Sequence, residues 1–305
     1  MPAPIAVIVN RAAGAGYNQK WAQELAARFR AQGFEARVTL ARSGAEIVAA
    51  AQRAVKDRVQ TVVAGGGDGT INAVASALVG SDTMLGVLAL GTLNHFAKDL
   101  HIPLQLDDAV RNIIAGHSTK VDTGEVNGKL FLNNSSIGLY ADLVGKREAG
   151  QRRWHLGKWP ALCWAMIGVL RRYPFLQVRW TVDGSKHECH TPFVFIGNNQ
   201  YTMNGFEIGE RKRMNAGVLS VYIVRSQERM ALLRLALRAL CGRLRQAKDF
   251  ETMLTGEITI ETRHARKRVA TDGEVAMLDA PLRYRIRPAA LSVIVPKPSI
   301  AAGEE

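Results

Sequence analysis

The first 120 residues alternate short apolar runs with amphipathic segments. Ile5–Val9, Val59–Ala64 and Leu85–Leu90 are rich in aliphatic residues, as expected of strands buried on both faces. Apolar residues at helical spacing lie between these runs, at positions 21–29 and 46–55. Strands that alternate with helices predict a parallel sheet wrapped by helices.

The second half of the chain has a different pattern. Val126-Asn127-Gly128-Lys129 and Val182-Asp183-Gly184-Ser185 are strong hairpin signals between β-rich runs. The pattern predicts an antiparallel β domain with helical insertions, and Leu291–Val295 is predicted to be a last strand. The other predicted strands are 193–196, 219–224 and 257–260.

A glycine-rich run, Gly65-Gly66-Gly67-Asp68-Gly69-Thr70, joins a predicted strand to a helical pattern. Glycines let backbone N–H groups approach a ligand closely, and a helix N-terminus adds N–H groups that lack intrahelical partners. The run favours a polyphosphate site in which Asp68 holds a phosphate-bound Mg²⁺. It lacks the Gly-Lys-Ser/Thr ending of a P-loop and the third glycine of the dinucleotide fingerprint. A plain strand-to-helix turn with Asp68 as a cap is the alternative.

Two more loops of small residues follow predicted parallel strands, at Asn10–Gly16 and Gly91–Asn94. Ligands of such sheets bind beyond the carboxyl ends of the strands, so we expect these loops to meet the glycine run at one edge. Three loops at one edge strengthen the prediction of a phosphate site.

The charge of the chain is unevenly distributed. The formal net charge is +13; residues 1–122 carry 12 Lys and Arg against 10 Asp and Glu, and residues 123–305 carry 28 against 17. A basic second half predicts an anionic partner, either nucleic acid or a membrane surface. No nucleic-acid recognition module is visible, so we expect an anionic membrane surface and no nucleic acid.

Two segments of the second half combine basic and apolar residues. Residues 151–173 contain three tryptophans and five basic residues without an acid, and Arg229–Lys248 places leucines at helical spacing with arginines on another face. Both compositions suit interfacial elements on a membrane. Helices packed on the β domain, with their arginines in solvent, are the alternative.

Cysteine content and hydropathy predict the compartment. The three cysteines are odd in number and far apart, which fits a reducing compartment rather than a disulfide framework. The first residues do not resemble a signal peptide, and no apolar run approaches the roughly 20 residues that span a bilayer. We expect a cytoplasmic protein, associated peripherally with the membrane.

Four motifs follow one another between residue 5 and about residue 275. They are Val9-Asn10 with its small-residue loop, Gly66–Thr70 with Asn72, Gly91–Asn94, and Asp272-Gly273-Glu274. In this order and spacing they resemble the bacterial diacylglycerol kinase-like lipid kinases, which share a catalytic domain with sphingosine and ceramide kinases. NAD kinases and phosphofructokinases carry similar glycine loops, so the specificity comes from the four motifs together.

The resemblance implies a fold and an activity. An α/β nucleotide-binding domain with a parallel sheet (1–122) would bind ATP, and an antiparallel β-sandwich domain with helical insertions (123–287) would take the lipid. The tail, about 288–305, is a candidate to pack back on the first domain. The implied activity is ATP- and magnesium-dependent transfer of the γ-phosphate to the hydroxyl of a diacylglycerol-like or sphingoid lipid.

The resemblance also assigns roles to residues. Glu274 would be the general base that accepts the lipid hydroxyl proton, and Asp68 would hold magnesium near the phosphates. The residues expected to contact the nucleotide are Asn10, Thr39, Gly65, Gly66, Gly67, Asp68, Gly69, Thr70, Ile71, Thr92 and Asn94.

Two departures from the family pattern keep alternatives open. His95 stands where family members usually have Asp, and Ala216 stands where many have a ligand for a second, structural magnesium. A catalytically weakened membrane-surface sensor of nucleotide or lipid is therefore one alternative. A soluble kinase similar to NAD kinases is another. The sequence leaves the oligomeric state open, with a homodimer as one option.

Overall fold

The computed structural model describes residues 4–14, 16–138, 176–182, 184–204, 207–211, 213–224 and 250–297. The two basic segments, 151–173 and Arg229–Lys248, lie outside the described residues, and so do the helical insertions predicted there. The chain divides into two compact units, Met1–Asp122 with Ala289–Glu305, and Thr123–Pro288. Within the described ranges, no helix is long and apolar enough to cross a membrane.

The first unit alternates strands and helices. A 3₁₀ turn, Arg11–Ala13, follows the first strand. The elements are β1 (Ile5–Asn10), α1 (Gln19–Ala31), β2 (Ala36–Ala41), α2 (Gly44–Lys56), β3 (Thr61–Gly66), α3 (Asp68–Leu78), β4 (Met84–Ala89), α4 (His95–Asp99), α5 (Leu106–Ala115) and the start of β5 (Ser118–Val126).

The first four strands form a parallel sheet in the order β2-β1-β3-β4. Its apolar side chains, such as Val7, Val63 and Leu88, pack with Leu25 and Phe29 of α1. Every residue of β3 is buried, which explains the almost entirely apolar sequence of that strand.

The second unit is built from strands. They are β6 (Lys129–Phe131), β7 (Asn134–Gly138), β8 (Leu176–Val182), β9 (Ser185–Thr191), β10 (Phe193–Asn198), β11 (Tyr201–Asn204), β12 (Glu207–Arg211), β13 (Leu219–Val224), β14 (Phe250–Thr255), β15 (Glu257–Thr262), β16 (Arg266–Thr271), β17 (Glu274–Asp279) and β18 (Leu282–Ile294).

Two sheets enclose the core of the second unit. One has the order β14-β13-β10-β7-β16-β17 and is antiparallel; the other runs from β18 through β15 and β8 to β9. Side chains from both, including Ile137, Val221, Trp180 and Tyr284, form one buried cluster. Two packed sheets are the arrangement of a β-sandwich, so the predicted fold class is confirmed.

Two strands have residues in both units. β5 begins in the first unit and ends in the second, and β18 begins in the second and ends in the first. In the first unit, Val293 of β18 pairs in parallel with Leu85 of β4, and Asp122 accepts the N–H of Ala289 at 2.8 Å.

Candidate active site

Three loops of the first unit leave the sheet at the carboxyl ends of neighbouring parallel strands. β1 ends at Asn10, β3 ends at Gly66 and β4 ends at Ala89, with β3 between the other two. The structure brings these loops together at one edge, where an α/β sheet binds its ligands.

Gly67 and Gly91 bring the second and third loops into backbone contact. A Cβ atom built on Gly91 would overlap the Cα atom of Gly67, and one built on Gly66 would overlap the side chain of Thr70. A side chain at Gly91 would push the two loops apart, and one at Gly66 would displace Thr70. The glycines are therefore required by the packing of the loops, whatever ligand they bind.

Asn10 joins the first loop to the second. Its Nδ2 donates to Thr70 Oγ1 at 3.1 Å, while its Oδ1 accepts the N–H of Ala12 at 2.9 Å. The side chain of Thr70 is only 5% exposed. Through these hydrogen bonds, both side chains hold the loops in place.

Asp68 joins the second loop to the third. Its Oδ2 accepts the N–H of His95 at 3.2 Å and its Oδ1 accepts the N–H of Phe96 at 3.1 Å. The carboxylate thus satisfies two N–H groups at the start of α4, which have no partner within that helix. The sequence motif predicted a metal ligand at this position and gave no indication of the contact with α4.

Magnesium fits Asp68 in one specific way. The described residues contain no group of three or more His, Cys, Asp or Glu side chains that could hold a metal by themselves. Mg²⁺ in kinases commonly takes one or two carboxylates, with phosphate oxygens and water as the other ligands. The carboxylate of Asp68 has about four acceptor positions, of which α4 uses two, so it retains capacity for such an ion.

The N-terminus of α3 lies in the same place. No side chain caps the helix at Gly67, and the N–H of Ile71 donates to the Gly67 carbonyl oxygen at 3.1 Å. The first N–H groups of a helix have no intrahelical acceptor and attract anions. Gly69 and Thr70 belong to this turn, whereas the side chain of Ile71 is fully buried in the core.

The third loop closes on itself through Asn94. Its backbone has the left-handed conformation, with φ 51°. Its side chain accepts the N–H of Gly91 at 3.1 Å and donates to the Gly91 carbonyl oxygen at 2.8 Å. Thr92 and Leu93 between them are exposed. Of the predicted contacts in this loop, Thr92 is the side chain that faces solvent.

Thr39 lies in β2, the edge strand next to β1. It is exposed and pairs with Ile8, two residues before the pair formed by Ala41 and Asn10. It is therefore near the same end of the sheet as the three loops, but on the strand beside them.

In the second unit, a two-residue turn presents Glu274. Asp272 and Gly273 connect β16 to β17 with φ 49° and 85°, which is the type I′ geometry of tight hairpins. Glu274 is exposed and pairs with Thr271 across the turn. The tight hairpin turn leaves the carboxylate of Glu274 accessible.

The side chain of Asp272 folds back onto the segment Leu132–Asn134. It accepts the N–H groups of Leu132, Asn133 and Asn134 at 2.7, 2.8 and 3.0 Å. Burial raises the pKa of Asp272 to about 6, while the three N–H donors and the guanidinium of Arg211 act to lower it. At neutral pH the carboxyl group is therefore ionised and can accept all three hydrogen bonds.

Arg211 is a buried cation on the other side of the same segment. Its Nη1 donates to the Leu132 carbonyl oxygen at 2.6 Å, and its Nη2 donates to Asn133 Oδ1 at 2.7 Å. Its guanidinium carbon lies 5.3 Å from the ring centroid of Tyr201. Sequence reasoning missed Arg211, because these hydrogen-bond partners are far away in the chain and no motif surrounds it.

Two departures from the family pattern can be placed. His95 is exposed, and its backbone N–H, which any residue except proline could supply, donates to Asp68. The N–H of Ala216 donates to Asn199 Oδ1 at 3.0 Å.

Two family models match the chain in succession. The diacylglycerol kinase catalytic domain matches residues 4–126, and the YegS C-terminal NAD kinase beta sandwich-like domain matches residues 136–295. These matches confirm the resemblance drawn from the four motifs.

Curated relatives agree. The chain is 29% identical over 219 residues to "Probable lipid kinase YegS-like" of Klebsiella pneumoniae (strain 342), covering 70% of this chain and 73% of that protein. It is 29% identical over 246 residues to "Probable lipid kinase YegS" of Salmonella arizonae, covering 75% and 79%.

Solved structures share the fold. A diacylglycerol kinase from Bacillus anthracis str. Sterne superposes with a TM-score of 0.68 at 20% identity, covering 96% of this chain and 97% of that one. Yeast NADH kinase complexed with NADH superposes with a TM-score of 0.55 at 10% identity, covering 97% and 84%.

Proposed function

This chain belongs to the diacylglycerol kinase-like family of kinases, and on that premise we propose that it transfers the γ-phosphate of ATP to the hydroxyl group of a diacylglycerol-like or sphingoid lipid. Curated relatives named as lipid kinases support a lipid as the acceptor. The choice of ATP as the phosphate donor and the choice of lipid acceptor are argued from the chemistry of the residues.

The backbone contact between Gly67 and Gly91 carries the proposal. It joins two glycine-containing loops beside the uncapped start of α3, where backbone N–H groups are available to a ligand. Such a surface suits the phosphates of ATP better than a base or a sugar, because phosphate oxygens are acceptors and carry negative charge.

Asp68 is the proposed magnesium ligand. Bound Mg²⁺ would neutralise charge that develops on the phosphates during transfer. The protein's own contribution is to fix the carboxylate, which it does through the two N–H groups of His95 and Phe96.

Glu274 is the proposed general base. A primary alcohol is a poor nucleophile, and a carboxylate within hydrogen-bond reach accepts its proton as the new P–O bond forms. The exposed position of Glu274 after a tight turn leaves its carboxylate free to approach an acceptor hydroxyl.

A lipid acceptor implies that the enzyme acts at a membrane. We propose that the enzyme is cytoplasmic and binds peripherally to an anionic membrane, where its substrate resides. The support is the charge of the second half, since each basic residue near an anionic surface contributes about 1 kcal/mol to binding.

The first test is transfer of the γ-phosphate from labelled ATP, with magnesium, to lipids dispersed in detergent. The panel contains diacylglycerol, monoacylglycerol, ceramide and sphingosine, beside NAD. Glu274→Gln removes the proposed base with almost no change in size, and Glu257→Gln is the matched control at another exposed strand terminus.

We expect a labelled lipid that disappears with Glu274→Gln and persists with Glu257→Gln. Labelled NADP would identify a kinase of NAD instead. ATP binding without any product would favour the sensor alternative and would count against the proposed activity.

A further inference from the structure

The segment Leu132–Asn134 lies between two charges of opposite sign, the buried guanidinium of Arg211 and the half-buried carboxylate of Asp272. Its three N–H groups point to the carboxylate of Asp272, and the N–H of Asp272 in turn donates to the Asn134 carbonyl oxygen at 2.9 Å. The backbone and side chain of Asp272 are thus both attached to this segment. Glu274 follows two residues later, so the attachment fixes the start of the strand that carries it.

The carbonyl oxygens of Leu132 and Asn133 are also hydrogen-bonded. Leu132 O accepts from Arg211 Nη1 and from Asn198 Nδ2, at 2.6 and 2.8 Å, and Asn133 O accepts from the Tyr201 hydroxyl at 2.9 Å. The dipole of the peptide unit between Leu132 and Asn133 therefore runs from the guanidinium to the carboxylate, and each charge polarises the hydrogen bond made to the other.

The desolvation of these charges costs free energy, so the arrangement is a poor way to gain stability alone. Buried charges lose their hydration, and well-packed apolar residues of similar volume are often as stable or more stable. Arg211 is only 3% exposed, and the tight turn at Asp272 would form with most residues that accept a positive φ. What the charges add is a fixed position for the turn.

Given the role proposed above for Glu274, on which this inference rests, we propose that Asp272 and Arg211 are positioning residues. Acting through Leu132–Asn134, they hold the turn in the one geometry that presents Glu274 to the acceptor hydroxyl. Neither residue touches the reacting atoms.

Two variants of the full-length protein test this inference. Arg211→Lys keeps the charge but lacks the fork that reaches both Leu132 O and Asn133 Oδ1. Asp272→Asn keeps the shape but has one acceptor oxygen for three N–H groups. The matched controls are the exposed neighbours Arg213→Lys and Asp279→Asn.

The first readout is amide hydrogen exchange, which needs no substrate. We expect Arg211→Lys to accelerate exchange of a peptide spanning residues 270–276 by about tenfold, while a peptide from β3 is unchanged. The second readout is kinetic, with the lipid that the panel identifies. We expect kcat to fall by about tenfold or more in both variants, with the KM for ATP within about twofold of wild type.

Unchanged exchange of the turn in Arg211→Lys would overturn the inference, and so would faster exchange with an unchanged kcat. Faster exchange of the β3 peptide in Arg211→Lys would mean that this variant unfolds as a whole. The exchange of the turn peptide in Asp272→Asn, compared with wild type, then decides the inference. Full activity of Glu274→Gln would overturn the proposed base and the catalytic part of this inference. The exchange data would then still decide whether Arg211 holds the turn.

Discussion

Gly91 illustrates how individual residues limit the site. Its backbone lies so close to Gly67 that even a methyl group would force two loops apart, although its own φ requires no glycine. The requirement comes from a neighbour and not from the local conformation. A substitution there therefore tests the loop contact itself.

Gly91→Ala is expected to reduce kcat/KM for ATP by about 10- to 100-fold, because displaced loops misplace the phosphates. It should also destabilise the protein by about 1–3 kcal/mol through overpacking. Gly44→Ala is the matched control, since a Cβ at the start of α2 meets open space. Steady-state kinetics and urea unfolding measure both effects, and wild-type kinetics in Gly91→Ala would refute the role of the loop contact.

Asp272 makes a prediction about pH. Its pKa rises from 3.8 to about 6 on folding, so the folded protein binds this proton more tightly than the unfolded chain does. The stability that the proton contributes is complete below about pH 4 and is lost as the pH rises through about 6. Compared with Asp272→Asn, which does not titrate, the wild type should lose on the order of 3 kcal/mol between about pH 4 and pH 7.

Urea unfolding of both proteins across this pH range measures the difference, because the titration of other groups cancels between them. A wild type that instead gains stability relative to Asp272→Asn as the pH rises would contradict the prediction. It would mean that the three N–H donors lower the pKa of Asp272 by more than burial raises it.

The element whose position depends most on one side chain is α4. It has only five residues, too few to be stable alone, and Asp68 accepts its first two N–H groups from the neighbouring helix. One carboxylate thus serves both the packing of α4 and, by our proposal, the metal. Substitutions can separate the two roles.

Asp68→Asn keeps one acceptor oxygen for α4, so its cost in stability should be about 1 kcal/mol or less, and Asp68→Ala should cost more. Activity should fall by about 100-fold or more in both, because neither offers magnesium a carboxylate. The control is Asp82→Asn, an exposed aspartate of the same unit. Activity in Asp68→Asn that follows stability rather than charge would argue against the metal role.

Regular patterns in the sequence predict most elements of the first unit. Buried parallel strands such as β1, β3 and β4 must be apolar on both faces, and the following glycines mark their ends. Helix α5 is not among the predicted elements, although Ala109, Val110 and Ile113 follow helical spacing. The signal was present there and could have been used.

The last strand shows a limit of such patterns. Leu291–Val295 was predicted, but β18 begins at Leu282. In its first half Leu282 and Tyr284 alternate with Arg283 and Arg285, which is the pattern of an antiparallel strand with one wet face. The sequence of β18 changes at Pro288 from alternating polar and apolar residues to mainly apolar ones. It does not resemble one strand, because its first half belongs to the second unit and its second half to the first.

Contacts between distant residues are the part of the site that no pattern reveals. Motifs predict roles for Asp68 and Glu274, but they do not predict that Asp68 caps α4, 27 residues away, or that Asp272 binds a segment about 140 residues away. Arg211 is part of no motif at all. These contacts depend on which loops the fold brings together, and spacing along the chain does not encode that.

For the whole molecule, the basic charge is concentrated in two segments. Residues 139–175 and 225–249 together contain 14 Lys and Arg against 4 Asp and Glu, which is most of the formal net charge of +13. If the protein binds anionic membranes, these segments are where the attraction originates. Charge removed elsewhere should matter far less.

The test variant replaces four arginines of the first segment by glutamine: Arg152, Arg153, Arg171 and Arg172. At about 1 kcal/mol each, binding to vesicles with anionic lipid should weaken by roughly 100-fold or more, and added salt should reduce the difference. The control removes four charges from the first unit: Arg30, Arg53, Lys56 and Arg58. Equal loss in both variants, measured by co-sedimentation, would show that net charge alone matters.

The crossing of β18 between the units has a consequence for biosynthesis. The part of this strand that lies beside β4, where fully buried Val293 faces fully buried Leu85, comes after all of residues 123–288. At about 5–20 residues per second, a ribosome delivers it roughly 10–30 s after the rest of the first unit. During that interval the apolar flank of β4 has no strand beside it, so nascent chains would be open to chaperones and to aggregation. The unit that is translated first is the one that is completed last.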